Sequence, residues 1–544
     1  SIAWYANNGD GSSWTNTTIF ITDANVSSIF AADLDNDGDV DIASSFQNNN
    51  TIDWYQNKNN TNWTGTTNSS SDTSTNWSNS LPRADSDIII PANLANYPTF
   101  STDASINSVT MSSGSSLIAE GTFSGVVTYN RTLATTDWYT VSSPVLGEEF
   151  NFTFSFTNDI ASGQGPNVGV ASYNTTNDSW EYMQIGTPAN FVSGTGYSIK
   201  RNTPGDISFT GTMKVEDTSI PLTTIGNGYN LIGNPYPSYI NSGSILANST
   251  SAVSSQTLWI WNSSTSSYNT KVRAQSFKIA PGQGFFVKSD ADGGNILIDE
   301  DDQSHQTTDT FLRSSTQAEV LLTLSSVSDN SMNRQAQIFY TDGTTTGFDN
   351  GYDGEMFGGV ANEFAIYTHL VSNSQGQDYE IQSLPTDNYE KMIIPLGINA
   401  MSGRVITIAA STTNLPMGIN IYLEDKLTNS FTLLGAASDF STILENDLNG
   451  VGRFYIHTTS RSLSADDFIT NNHLSIYASA RDNIRIVGVQ QGTASIQIYN
   501  NLGKEMMRTS FEGTGVNDIS LPTLNTGVYI VKLATETRIL NKKI

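Results

Sequence analysis

The sequence contains no cysteine. Disulfides, thiolate metal sites and cysteine nucleophiles are therefore all excluded. Positive charge is also scarce: 25 Lys and Arg stand against 52 Asp and Glu, a formal net charge of −27. Nucleic acid is a poor partner for such a chain, because phosphate binding needs clustered cations. An anionic membrane surface is disfavoured for the same reason. Charge of either sign reaches only 14%, against about 25% in ordinary globular proteins. Neutral Ser, Thr, Asn and Gly must then cover the surface. No apolar run approaches the ~18 residues that cross a bilayer as a helix. No signal peptide opens the chain, which begins at Ser1; for a secreted protein this implies a processed or truncated form. What is present over 544 residues is 37% hydrophobic residues, with aromatics making up 10% of the whole chain. That composition is globular, and at roughly 150 residues per domain it suggests three or four domains.

Short apolar alternations recur throughout, separated by Gly, Asn, Ser and Asp. Ile88-Ile89-Ile90, Val126-Val127-Thr128-Tyr129, Leu258-Trp259-Ile260-Trp261 and Val528-Tyr529-Ile530-Val531 are examples. No long stretch sustains a 3.6-residue period. The expected class is all-β, a multidomain chain of Ig-like or jelly-roll-like β-sandwich modules. Ser1-Ile2-Ala3-Trp4-Tyr5 returns as Thr51-Ile52-Asp53-Trp54-Tyr55. A period near 50 residues belongs to propeller-type repeats. One such unit cannot bury its own faces, so further repeats upstream of Ser1 are expected.

Between the two copies lies Asp33-Leu34-Asp35-Asn36-Asp37-Gly38-Asp39-Val40-Asp41. Alternating carboxylates converge when the backbone wraps a centre, and Gly38 permits the sharp turn. Calcium takes six to eight hard oxygens at about 2.3–2.6 Å, which such a loop supplies. Asp33, Asp35, Asp37 and Asp41 are the expected side-chain ligands, and Asp39 offers its backbone carbonyl. An EF-hand would place Glu at the twelfth position, where this chain has Ser44. The flanks Ile29-Phe30-Ala31 and Val40-Asp41-Ile42-Ala43 look like strands. On these residues, with Trp4-Tyr5-Ala6-Asn7-Asn8-Gly9, residues 1–65 resemble the FG-GAP or VCBS repeat family, with its calcium loops between strands.

Chemistry is otherwise sparse. His305, His369, His457 and His473 form no zinc-hydrolase spacing. Neither a nucleophile elbow in a strand-to-helix setting nor a P-loop is found. Gly282-Gln283-Gly284-Phe285-Phe286-Val287 leads into a strand rather than a phosphate-binding helix. The run 299–302 is expected to be a solvated linker. The run 349–355 suits either a cation or an acidic turn. The expectation is that this chain is not an enzyme.

Composition divides the remainder. Residues 66–80, rich in Thr, Asn and Ser, suggest a linker. Residues 81–135 suggest short stacked strands of solenoid type. A sandwich is expected over 136–298, a linker over 299–319 and a second sandwich over 320–464. Asn230-Leu231-Ile232-Gly233-Asn234-Pro235-Tyr236-Pro237-Ser238 and Trp138-Tyr139-Thr140-Val141-Ser142-Ser143-Pro144-Val145 resemble β-modules of large secreted surface proteins from Bacteroidetes.

The last seventy or so residues show short strands joined by Asn500-Asn501-Leu502-Gly503-Lys504 and Thr523-Leu524-Asn525-Thr526-Gly527. Four basic residues, Lys532, Arg538, Lys542 and Lys543, crowd the final thirteen positions of an acidic chain. A basic end on an acidic body suggests a separate docking surface. Ile496-Gln497-Ile498-Tyr499, Leu521-Pro522 to Tyr529-Ile530-Val531 and the terminal Asn541-Lys542-Lys543-Ile544 resemble the type A sorting domain of type IX secretion, over 472–544. That resemblance implies export through an outer-membrane translocon, a β-barrel shuttle protein as partner, and a sortase that attaches cargo to surface lipopolysaccharide. It implies Gly503, Lys504, Gly527, Tyr529, Lys542 and Lys543 as the secretion signal. The reading for the whole chain is a secreted, cell-surface structural or adhesin-like protein with bound calcium. The alternatives are a glycan site on a middle sandwich, and accessory modules of a larger glycan-binding protein or polysaccharide-degrading enzyme.

Overall fold

The structure is a computed structural model that describes residues 2–7, 13–20, 26–34, 40–48, 50–55, 60–306, 317–326, 333–387, 389–435, 438–463, 475–480, 483–524, 527–535 and 539–543. Strand makes up 54% and helix 5%, so the chain is all-β, as its alternation predicts. At the N-terminus, Ile2–Asn7 pairs with Trp14–Phe20. A three-stranded antiparallel sheet follows, from Val26–Ala32, Asp41–Phe46 and Thr51–Tyr55. Phe30, Ile52 and Trp54 stand exposed on it. These small sheets leave apolar faces open, as expected of a propeller-type unit.

Next, strands Thr61–Asn62, Asp87–Ile90, Ala104–Met111 and Phe123–Leu133 lie side by side in parallel. Gly205–Thr212 closes that sheet antiparallel. A second parallel pair joins Thr99–Phe100 to Ile118–Ala119. Two faces of short parallel strands give a coil whose interior holds Ile88, Ile90, Val109, Met111 and Val127. The segment 66–80, whose composition suggests a linker, is ordered in this structure. Asn76 is fully buried; its Oδ1 accepts the Thr67 N–H at 2.9 Å and its Nδ2 donates to Asn68 Oδ1 at 2.8 Å. Trp63 and Trp77 pack edge to face at 4.9 Å and close the end of the core.

Two four-stranded sheets form the following module. One orders Tyr139–Ser142, Gly196–Ile199, Asn167–Asn174 and Ser179–Gln184; the other orders Tyr229–Gly233, Gly284–Lys288, Thr257–Asn262 and Ser267–Val272. They approach closely where Gly233 meets Ser142, since a Cβ at Gly233 would lie 2.2 Å from the Ser142 Cβ. Asn234 is completely buried there. Its Nδ2 donates to the carbonyls of Ser238, Ile279 and Ala280, and its Oδ1 accepts the Tyr236 N–H. The Gly-Asn-Pro-Tyr-Pro-Ser phrase thus satisfies buried backbone groups at a turn. Residues 299–302 are also built in: Glu300–Asp302 is a 3₁₀ turn and Gln303–Ser304 pairs with Tyr239–Asn241.

The next module is one sheet of eleven strands, running from Ser430–Leu434 through Asn420–Asp425 and Leu448–Thr459 to Val405–Thr413 and Phe440–Ile443. Ala318–Ser326 alternates strictly between buried and half-buried positions. Period-two burial of this kind puts Val320, Leu322 and Leu324 into one core. Phe357 leaves this module and enters the aromatic cluster of the preceding one, 4.6 Å from Tyr229 and 4.2 Å from Tyr268.

His305 fastens the coil to this middle region. Its Nε2 meets Thr99 Oγ1 at 2.8 Å and its Nδ1 meets Ser116 Oγ at 2.9 Å. Burial pushes the imidazole down from 6.5 to about 4. The folded state then takes up a proton less readily than the unfolded one. Its contribution is complete above the unfolded value and is lost as pH falls toward the folded value. Between pH 7 and pH 5 this group should cost roughly 2 kcal/mol of stability. His305→Gln should remove that part of the acid sensitivity, as read by denaturant midpoints at both pH values. An equal drop in both proteins would sink the assignment.

Candidate functional site

Two places carry the chemistry expected from the sequence: the acidic hairpin loop and the C-terminal tail. Asp41 opens strand Asp41–Phe46 and sits opposite Ala32 in the antiparallel register. Its carboxylate is fully buried and accepts the Leu34 N–H at 3.1 Å. Asp33 follows strand Val26–Ala32 and is exposed. The two ends of the loop are therefore held together by a strand pair, not by helices. Asp35, Asp37 and Asp39 lie outside the described residues. Among the described residues no group of three His, Asp or Glu is placed to hold a metal.

The other acidic runs are structural. Asp353 is fully buried and accepts the N–H groups of Asp349 and Ser383, both at 2.7 Å. Burial raises its carboxyl to about 7. Asp349 in turn accepts the Thr345 N–H. Asp302 Oδ2 accepts the Asp299 N–H at 3.1 Å, and burial lifts its carboxyl to about 6. Two further histidines pair with carboxylates: His369 with Asp378 and His457 with Glu424, each at 2.8 Å. His473 lies outside the described residues.

The tail is built on one long strand. Asn483–Asn500 pairs with Glu505–Ser520 along its whole length. Its first half also pairs with Ser475–Ala480 and its second half with Tyr529–Ala534. The register slips near Val489 and Gly492, where the strand bends and lets the two halves of the sheet face each other. Between them lie Ile476, Ile484, Ile486, Ile496, Ile498, Val531 and Leu533. Among the described residues Ile539–Lys543 is the outer strand and pairs only with Tyr529–Ala534.

Register brings the six predicted signal residues to one end of this sheet. Tyr529 lies opposite Asn500, next to the turn that holds Gly503 and Lys504. Ile530 and Val531 lie opposite Lys543 and Lys542. Gly527 is exposed two positions before Tyr529. Gly503 has φ +78 with open space around it. Asn500 Oδ1 accepts the N–H groups of Leu502 and Lys504 at 3.0 and 2.9 Å and fixes the turn. Lys543 is exposed, whereas Lys542 is half-buried beside a cleft of about 320 Å³ that also borders His369 and Tyr455 of the preceding module. The tail also touches that module through Val487, which joins Val451 and Tyr367 in one apolar cluster. Arg485 donates to Asn449 O at 3.3 Å and forms a two-pronged pair with Asp518, both bonds at 2.8 Å. That pair holds the Asp518 carboxyl below its ordinary value.

Residues 474–544 match the family model of the secretion system C-terminal sorting domain. The chain carries a type IX sorting tail. Such a tail directs secretion and export to the cell surface, and its presence implies handling by the type IX machinery. Residues 1–44 match the FG-GAP-like repeat. Residues 264–457 match DUF8693, a domain of unknown function. No curated protein matches the sequence significantly. Among solved structures, dimeric latent PorU from Porphyromonas gingivalis is aligned over 46% of this chain, at 10% identity and a TM-score of 0.13. The alignment spans 30% of that chain's length, and a likeness this slight carries nothing for fold or function. No helix among the described residues is long and apolar enough to cross a membrane.

Sequence reading missed one feature, the cleft where the two large modules meet. Its residues come from positions as distant as 261 and 404, and nothing in the local sequence joins them.

The turn geometry has a measurable consequence. Asn500→Ala leaves two turn N–H groups without their acceptor and should cost about 1 kcal/mol. Gly503→Val forces a branched side chain into left-handed backbone and should cost at least as much. Denaturant titration of the full chain reads both. No change in either variant would show that the turn is not held as described.

Proposed function

We propose that this chain is a cell-surface structural or adhesin-like protein, a scaffold of β-modules delivered by its sorting tail. The observation that carries the reading is the compact tail sheet, with its six signal residues at one end and its match to a known sorting family. The surfaces of Gly503, Lys504, Gly527, Tyr529 and Lys543 would meet the β-barrel shuttle of the export machinery. A sortase and surface lipopolysaccharide are the further partners of this reading, with surface glycans as ligands of the modules. No catalytic role is assigned to the chain.

The acidic loop completes the proposal as a calcium site of structural role. Asp33, Asp35, Asp37 and Asp41 would give carboxylates, and Asp39 its carbonyl. The donor set is all hard oxygen, which suits calcium. Asp41 supports the fit, because a carboxylate out of water needs donors or a cation around it. The bound ion would cancel repulsion among the crowded acids and lock the hairpin.

Export is tested by deleting residues 474–544 in the native host. The truncated protein should accumulate in the periplasm, as read by fractionation; normal surface display would refute the sorting role. Calcium is tested by thermal melts with and without the ion. Asp35→Ala with Asp37→Ala should abolish a calcium-induced rise in Tm. A rise that survives the double change would remove the site.

A further inference from the structure

The cleft between the two large modules has a volume of about 330 Å³, within the range of small-ligand sites. Trp261 and Tyr268 line it from one module, and Arg334, Glu363, Glu380 and Arg404 from the other. The walls are fixed by bonds across the junction. Trp259 Nε1 donates to Glu355 O at 2.9 Å, Arg334 Nη1 to Thr265 O at 2.9 Å, and the Thr270 N–H to Glu380 Oε2 at 3.2 Å. Trp261 is held by its own N–H on Trp138 O at 2.7 Å and by the Tyr268 ring at 4.9 Å. Such a site is pre-formed, so little ordering is left for a ligand to bring about.

Its chemistry is mixed in a specific way. Two guanidinium and two carboxyl groups line it, so both signs are present there in a chain whose net charge is −27. Among the described residues, Arg404 and Glu363 form no ion pair with each other or with anything else. Arg404 instead lies over the Phe364 ring at 5.6 Å. Donors, acceptors and aromatic faces thus converge without a dominant charge. A simple anion or cation would meet repulsion from half of these groups. A purely apolar ligand would leave the four charged groups desolvated. A sugar ring satisfies both halves, because its hydroxyls accept from guanidinium and donate to carboxylate while its C–H face covers an aromatic ring.

We propose that this cleft binds a neutral monosaccharide unit of a glycan, with Trp261 and Tyr268 as the ring platform and Arg404, Glu363 and Glu380 as the hydroxyl partners. Five of the six residues lie within 264–457, the stretch that matches a domain of unknown function. The inference gives the adhesin reading a ligand class, but it rests on the cleft and not on export. Burial raises the Glu380 carboxyl to about 7, and its Oε2 accepts from the Thr270 N–H and hydroxyl.

The test uses the full chain on an array of immobilised glycans ending in neutral hexoses, N-acetylhexosamines, deoxyhexoses, uronic acids and sialic acids. Binding to at least one neutral terminus is expected. It should weaken at least tenfold in both Arg404→Ala and Glu363→Gln, with Tm unchanged. Trp261→Phe, which keeps a ring, should lose less than Trp261→Ala. Silence on every neutral terminus, binding to acidic termini alone, or neutral binding that both variants retain would each overturn the site. Surface display, measured separately by fractionation, is untouched by any of these outcomes, so failure here leaves the export reading standing.

Discussion

Phe357 sits where two modules become one body. Its ring leaves the eleven-stranded sheet and packs among Tyr229, Leu231, Trp259 and Phe286 of the neighbouring sandwich. Removing such a ring from a closed cluster costs about 3–5 kcal/mol in typical cores, more than any single polar contact at this junction supplies. The same logic repeats along the chain. Tyr239 donates to Gly114 O and the Leu117 N–H to Pro237 O, which seats the sandwich on the coil. Val487 against Val451 and Tyr367 seats the tail on the large sheet. From residue 60 onward each module is thus covered at its ends by the next, and contacts between modules continue the cores within them.

Charge plays a small part in this. The described ion pairs are few, and the best of them, Arg453 with Asp425, lies within one sheet. Buried Asn residues take over the role of fastening. Asn76, Asn230 and Asn234 each bond several backbone groups that turns would otherwise leave unpaired. A carboxamide offers both donors and acceptors and carries no desolvation cost of a full charge. Neutral bonds are also little affected by salt, whereas exposed ion pairs are screened. A chain with so few cations could not have been stapled by salt bridges in any case.

How much of this was legible in the sequence depends on the range of the contact. Short apolar alternations such as Val126-Val127-Thr128-Tyr129 are a local signal, and the fold class followed from them; the tail was legible through contiguous motifs that resemble a known sorting domain. Asn76 shows where local reading fails. Residues 66–80 have the composition of a linker, yet one buried carboxamide and two tryptophans pack them onto the parallel coil. The partners of Asn76 lie within ten residues, but the burial that makes those bonds strong comes from strands that follow. Gly205–Thr212 pairing with Phe123–Leu133 is a contact over some eighty residues, and no pattern in either strand names the other. The junction cleft is harder still, because its two walls are set by the docking of modules. Asp41 illustrates the intermediate case: its place in an acidic loop was plain, while its full burial at the mouth of a hairpin was not.

The open edge of the tail raises the question of why copies of the protein would not pair through it. Among the described residues Ile539–Lys543 pairs on one side alone, and Ile530 and Ile539 beside it are 45% and 60% exposed. A bare edge next to apolar side chains invites strand addition. Two devices oppose this between identical molecules. Lys542 and Lys543 bring like charges together whenever two such edges meet, and the strand spans only five residues. The acidic body acts the same way at longer range, since any two copies repel through their shared sign. The terminal lysines thus oppose the pairing of two like edges by charge, while the backbone groups of the strand stay as they are.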